Sequence, residues 1–183
     1  MNELNEFTMP FIISRKSPPL GELHALWDWL TTIANGRGGQ VLEFGCGCTT
    51  WVLQQTLSPA NLVCVETFPR CIEPVRQHIP QATIVGSWDQ IPRVPYNFML
   101  VDSSTGAPSN LPSLVSQSFP FRDDAIAYAL EFCCRNVVVI VHDWCHRQLA
   151  FHAPKRYLES SGFQLLWSHT GRRGFGAYQR ASQ

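Results

Sequence analysis

Charge is what this sequence has least of. Only 15% of its 183 residues are charged, against roughly 25% in ordinary soluble domains, and fourteen basic residues cancel fourteen acidic ones. A balanced chain has no field with which to gather a polyanion, which argues against nucleic acid and an anionic membrane as partners. Lysine is nearly missing. Apart from Lys16 and Lys155 every basic residue is arginine, a side chain suited to fixed, paired roles more than to a solubilising coat. Long apolar runs are missing too. The longest aliphatic run, Val137 to Val141, is strand-sized and far short of the roughly 18–20 residues that cross a bilayer. Glu3 and Glu6 stand where a secretory leader would be positive, so a cytoplasmic location is expected. Paired CxxC knuckles are absent as well, although there are seven cysteines. A reducing compartment with mostly free thiols fits that odd number. Zinc on Cys46, Cys48, Cys145 and His146 is disfavoured because the usual ligand spacing is lacking.

What is present suffices for a full core: 45% of the residues are hydrophobic, and the length suits one domain. The low charge also leaves room for a homo-oligomer. Residues 1–19 read as an N-terminal arm ending in Ser17-Pro18-Pro19, a helix-start signal, and 20–183 as a single domain. Leu20, Leu23, Leu26, Leu30 and Ile33 follow helical spacing. Strands are then expected over 40–44, 61–66, 82–85, 97–102 and 136–141, alternating with helices over 51–57, 70–79, 123–134 and about 145–161. Two closing strands, 163–168 and 175–179, flank Thr170-Gly171-Arg172-Arg173-Gly174. A hairpin there makes the last strand antiparallel to its neighbour. Such alternation predicts a three-layer α/β fold. Ligands of such sheets bind beyond the carboxyl ends of the strands, which selects Glu43, Gly45, Gly47, Glu66, Asp102, His142 and Asp143 as candidate site residues.

The strongest motif is Glu43-Phe44-Gly45-Cys46-Gly47-Cys48. Two glycines after a strand let the backbone turn tightly and approach a ligand closely. A diphosphate site would add a third glycine at the helix start, but Thr50 occupies that register and no basic residue stands nearby. An opening acid suits a ligand bearing ammonium and hydroxyl groups. Glu66 ends the next strand at the spacing where α/β nucleotide folds place the carboxylate for a ribose diol. Ser87, Trp88 and Asp89 follow the third strand, where a backbone N–H and the Asp89 carboxylate could read an adenine edge. The alternatives are a packing turn at the glycines and a solvated acid at Glu66.

In these pieces the chain resembles the class I S-adenosylmethionine-dependent methyltransferases: 41–47, 63–66, 98–102 and 138–143 match their motifs in order. More narrowly, it is similar to a compact branch whose fifth strand ends in His-Asp followed by Arg, here His142, Asp143 and Arg147. The resemblance implies a Rossmann-like, seven-stranded sheet, mostly parallel with an antiparallel last strand. It further implies S-adenosyl-L-methionine as cofactor, with Glu43 and the glycine loop near its amino-acid end and Glu66 on its ribose. Many relatives have Asp-Gly-Pro after the fourth strand. This chain has Asp102-Ser103-Ser104, so its acceptor loop differs.

Methyl transfer from a sulfonium is an in-line displacement, for which a protein supplies alignment and sometimes a base. His142, oriented by Asp143, and Asp102 are the candidate bases, although a strand-end histidine can be structural and Asp102 can face the cofactor. Asp102, Asp143 and His142 could instead hold a divalent metal, as catechol-type relatives do after these strands. That reading is not favoured, because a third carboxylate ligand is lacking. Arg122 and Arg147 could clamp an anionic acceptor or pair with nearby aspartates. The function expected is methyl transfer to a hydroxyl or amine of a small-molecule or sugar-like acceptor. Two rivals stand beside it: another adenosylmethionine reaction (cyclisation or elimination) and a non-catalytic cofactor-binding module.

Overall fold

A computed structural model describes residues 7–11, 17–34, 39–102, 121–144 and 153–180. In chain order the elements are α1 (Leu20–Ala34), β1 (Gln40–Phe44), α2 (Cys48–Leu57), β2 (Asn61–Val65), α3 (Pro69–His78), β3 (Thr83–Val85), β4 (Phe98–Val101), α4 (Phe121–Leu130), β5 (Val138–His142), α5 (Ala153–Ser160), β6 (Phe163–His169) and β7 (Phe175–Arg180). They build one seven-stranded sheet in the order β3-β2-β1-β4-β5-β7-β6. The first five strands pair in parallel. Strand β7 runs antiparallel to both neighbours, as the resemblance and the terminal hairpin imply.

Both faces of the sheet are covered, which explains the unbroken apolar runs. Side chains alternate between the faces. Val41, Phe98, Leu100, Val138, Ile140 and Phe175 pack with Leu23, Leu26 and Leu30 of α1 and Val52 and Leu53 of α2. Leu42, Phe44, Met99, Val101, Val139 and Val141 pack with Ala125, Ile126 and Ala129 of α4 on the other face. Every residue of β4 and β5 is buried. No helix among the described residues is long and apolar enough to cross a membrane.

Element limits differ from expectation in two instructive places. Helix α2 starts at Cys48 rather than Trp51, because the Thr50 hydroxyl accepts the Gly47 N–H at 2.7 Å and fixes the first turn. Helix α4 stops at Leu130, where Phe132 and Cys133 both donate to the Ala129 carbonyl and close a turn. The start of the helix about 145–161, Arg147, Cys145 and His146 lie outside the described residues, as do much of the arm and the acceptor loop. No disulfide joins the six described cysteines. Burial pushes the thiols of Cys46 and Cys64 well up.

Candidate active site

Strand register assembles the site. Phe44 is level with Val65 on one side and Val101 on the other, and Val101 with Val141. One residue further on, Gly45, Glu66, Asp102 and His142 therefore lie along a single carboxyl edge. The sheet changes direction here, since β2 and β3 lie on one side of β1 and β4 on the other. That switch point is where α/β sheets open a crevice for a ligand. Alternation adds a facing. Glu43, Asp102 and His142 share the parity of Val41, Leu100 and Ile140, the side covered by α1 and α2.

The half over β1 and β2 is built from near neighbours in sequence. Gly45 has φ 92, a left-handed conformation that penalises any side chain, and its N–H donates to the Val65 carbonyl at 2.9 Å. Glu43 is fully buried. Its carboxyl accepts the Thr49 hydroxyl at 2.5 Å, the Thr50 hydroxyl at 2.6 Å and the Cys64 thiol at 3.4 Å. Burial pushes it up to about 8 despite those donors. The group is thus enclosed by the protein and ties β1 to the start of α2. Glu66, only 4% exposed, accepts the N–H groups of Thr67 and Phe68 at 2.7 and 2.9 Å, which fixes its orientation. Beyond β3, Ser87 donates its hydroxyl to the exposed Asp89. Trp88, by contrast, is a core residue, with its ring edge-on to Phe44 at 5.8 Å.

The half over β4, β5 and β7 is built from distant pieces. His142 is fully buried and lies against the Phe175 ring at 4.7 Å. Its Nδ1 is hydrogen-bonded to Asp102, whose carboxyl is 19% exposed. On its other side, Nε2 lies 3.7 Å from Glu22 Oε2. Glu22 comes from the first turn of α1 and also accepts the N–H groups of Arg173 and Gly174 at 2.9 and 3.0 Å. Burial would raise the Glu22 pKa, but the imidazole and these two N–H donors outweigh it and hold it down to about 2. Burial would likewise lower the His142 pKa, yet the facing carboxylates of Asp102, Glu22 and Asp143 raise it above its ordinary value. Asp143, fully buried at φ 59, takes a two-point fork from the Arg173 guanidinium, with Nη2 2.8 Å from Oδ2.

This arrangement revises one expected pairing: Asp102, not Asp143, orients the imidazole. Nothing in the local pattern by itself marks Glu22, Thr49, Thr50 or Arg173 as a site residue. Glu22 looks like an ordinary helix-start acid. Arg172-Arg173 in a hairpin turn was the available signal, since such turns are usually built from glycine, asparagine and aspartate.

No family model matches the chain, and no curated protein matches its sequence. Solved structures do. An O-methyltransferase from Bacillus cereus in complex with S-adenosylhomocysteine superposes with a TM-score of 0.63 at 13% identity, covering 92% of this chain and 84% of that one. The O-methyltransferase TomG from Streptomyces achromogenes, involved in tomaymycin synthesis and solved with S-adenosylmethionine, gives 0.60 at 16% identity, covering 86% and 80%. A ribosomal-protein methylase from Lactobacillus delbrueckii gives 0.61 at 10% identity, covering 91% and 81%. The chain has the class I methyltransferase fold. The same fold serves both an enzyme of tomaymycin synthesis and a methylase of a ribosomal protein, so fold alone leaves the acceptor open.

Within this methyltransferase fold a divalent ion on Asp102, His142 and Asp143 can be tested against the geometry. One ligand atom of each lies within 4.8 Å of the others, so spacing alone would permit it. Charge does not. Both Asp143 oxygens face the Arg173 guanidinium, and an ion seated there would stand about 4 Å from that cation. At an effective dielectric near 20, the guanidinium alone would repel a +2 ion so placed by roughly 8 kcal/mol, and His142 Nδ1 and Asp102 are already engaged with each other. The residues present do not fit a metal.

Proposed function

We propose that this chain is an S-adenosyl-L-methionine-dependent methyltransferase acting on a hydroxyl or amine of a small-molecule acceptor. The observation that carries this reading is the carboxyl edge at the switch point, where the Gly45 turn and the fixed Glu66 carboxylate stand on adjacent strands. An edge of backbone and carboxylate suits a ligand with hydroxyl and ammonium groups, and the absence of a Cβ at Gly45 lets it lie close. Bound there, the cofactor would supply an electrophilic methyl on a sulfonium. Glu66 would accept the ribose hydroxyls, Ser87 and Asp89 would meet the adenine edge, and Glu43 would shape the glycine loop through Thr49 and Thr50. Asp102, the partly exposed member of its cluster, would take the acceptor's proton while His142 holds it in place. The reactive groups then have one arrangement, and alignment does most of the work.

Calorimetry with S-adenosylmethionine tests the cofactor site. Glu66→Ala should weaken binding by about 1.5–3 kcal/mol, the worth of hydrogen bonds to a charged group. Unchanged affinity in a folded variant would remove Glu66 from the site. Incubation with an acceptor panel should release S-adenosylhomocysteine together with a methylated product. Methylthioadenosine in its place, or binding without turnover, would favour one of the two rivals.

A further inference from the structure

We propose that Arg173 is the resident cation of this site, standing where a divalent ion would otherwise bridge the ends of β4 and β5, so that the protein binds no metal there. Three carboxylates, Glu22, Asp102 and Asp143, meet at the carboxyl edge. Left alone they would repel one another, and related chemistry elsewhere answers such a cluster with a metal ion. Here the β6–β7 turn answers it. The Arg173 side chain forks onto Asp143 while its backbone N–H, with that of Gly174, holds Glu22. Its guanidinium carries a permanent charge in a planar geometry that matches a carboxylate.

The turn is shaped for this contact. A side chain at Gly171 would run into the Glu22 carboxyl, and one at Gly176 into the Trp144 indole. The Trp144 N–H bonds the Tyr178 hydroxyl at 2.7 Å, and its backbone N–H reaches the Gly174 carbonyl at 3.3 Å. The residue after Asp143 is thereby anchored to the turn that carries Arg173. Against the three carboxylates stand the guanidinium and the His142 imidazole. The donor atoms are engaged with one another, so a divalent ion would have to displace the guanidinium from Asp143 and Asp102 from His142 Nδ1. Proton removal from an acceptor then falls to a side chain, with no Lewis acid to assist.

This inference concerns the same site as the proposed methyl transfer, but its test needs neither cofactor nor acceptor, so the two can fail separately. The probe is Mn²⁺ alone, titrated calorimetrically into the full chain. The wild-type protein should show no saturable one-to-one binding. Arg173→Met, which keeps the stem and removes the charge, should gain a single site at least about 100-fold tighter. Adding Asp143→Asn should abolish that site. Arg173→Lys, which retains a charge, should bind as weakly as wild type. Saturable binding to the wild-type protein that Asp102→Asn removes would overturn the proposal. A folded Arg173→Met protein with no gain would overturn it as well.

Discussion

The two halves of the candidate site are made in opposite ways. Over β1 and β2 the decisive bonds join residues one to seven positions apart: Thr49 and Thr50 to Glu43, Gly47 to Thr50, Thr67 and Phe68 to Glu66. Over β4 and β5 they join residues 30 to 152 positions apart: Arg173 to Asp143, His142 to Asp102, Gly174 to Glu22. The first half is made within two consecutive strand-turn-helix segments, β1 to α2 and β2 to α3. The second exists only once α1, β5 and the β6–β7 turn have docked. The comparison teaches where damage should spread: a lesion in the first half stays with the ligand, and one in the second reaches the whole fold.

The largest expected effect is therefore in the second half. Asp143→Ala removes the buried partner of Arg173 and places alanine at a left-handed φ. Breaking a buried pair costs about 3–5 kcal/mol, and the lower end applies because Arg173 is 24% exposed. Denaturant melts should show about 3 kcal/mol lost. A loss below about 1 kcal/mol would mean that the fork does not tie the turn to the sheet.

A smaller effect is expected in the first half. Thr50→Val keeps the shape but strands the Gly47 N–H and one donor to Glu43, at about 1–3 kcal/mol. It should weaken adenosylmethionine binding more than Asp143→Ala does, because the glycine loop loses its lock. Equal binding by both variants would erase the proposed division.

The gentlest probe is pH alone. Glu22, held at about 2 in the folded chain, lies below its ordinary value of 4.5. It stabilises the fold above 4.5, and that contribution is lost as pH falls from 4.5 towards 2. Glu43, pushed up to about 8 from the same ordinary value, binds its proton more tightly when folded. Its contribution is complete below 4.5 and is lost as pH rises from 4.5 to 8. The two glutamates thus pull stability in opposite directions, and His142, raised above its ordinary value, adds to the loss on the alkaline side. Glu22→Gln should flatten the acid limb of the stability profile and Glu43→Gln the limb between 4.5 and 8, each leaving the other limb in place. A single variant that flattened both would show the two halves to be coupled.

The sequence alone determined the strand-helix alternation, the reversal of the last strand and the residues that end β1, β2, β4 and β5. Each follows from local apolar spacing or from turn residues next to the element they terminate. It also marked the glycine turn, whose positive φ at Gly45 is a demand of the local chain. Local pattern misplaced the α2 start because that limit depends on threonine hydroxyls reaching back to a buried acid. It was silent about Glu22 and Arg173, and it gave His142 the wrong orienting carboxylate. Alternation along β5 puts neighbouring residues on opposite faces, so Asp143 cannot serve the imidazole beside it as well as Asp102 does from the adjacent strand. Which distant acid and which turn arginine meet there was decided only by tertiary structure, because charges buried together must be paired across the core, whatever their separation along the chain.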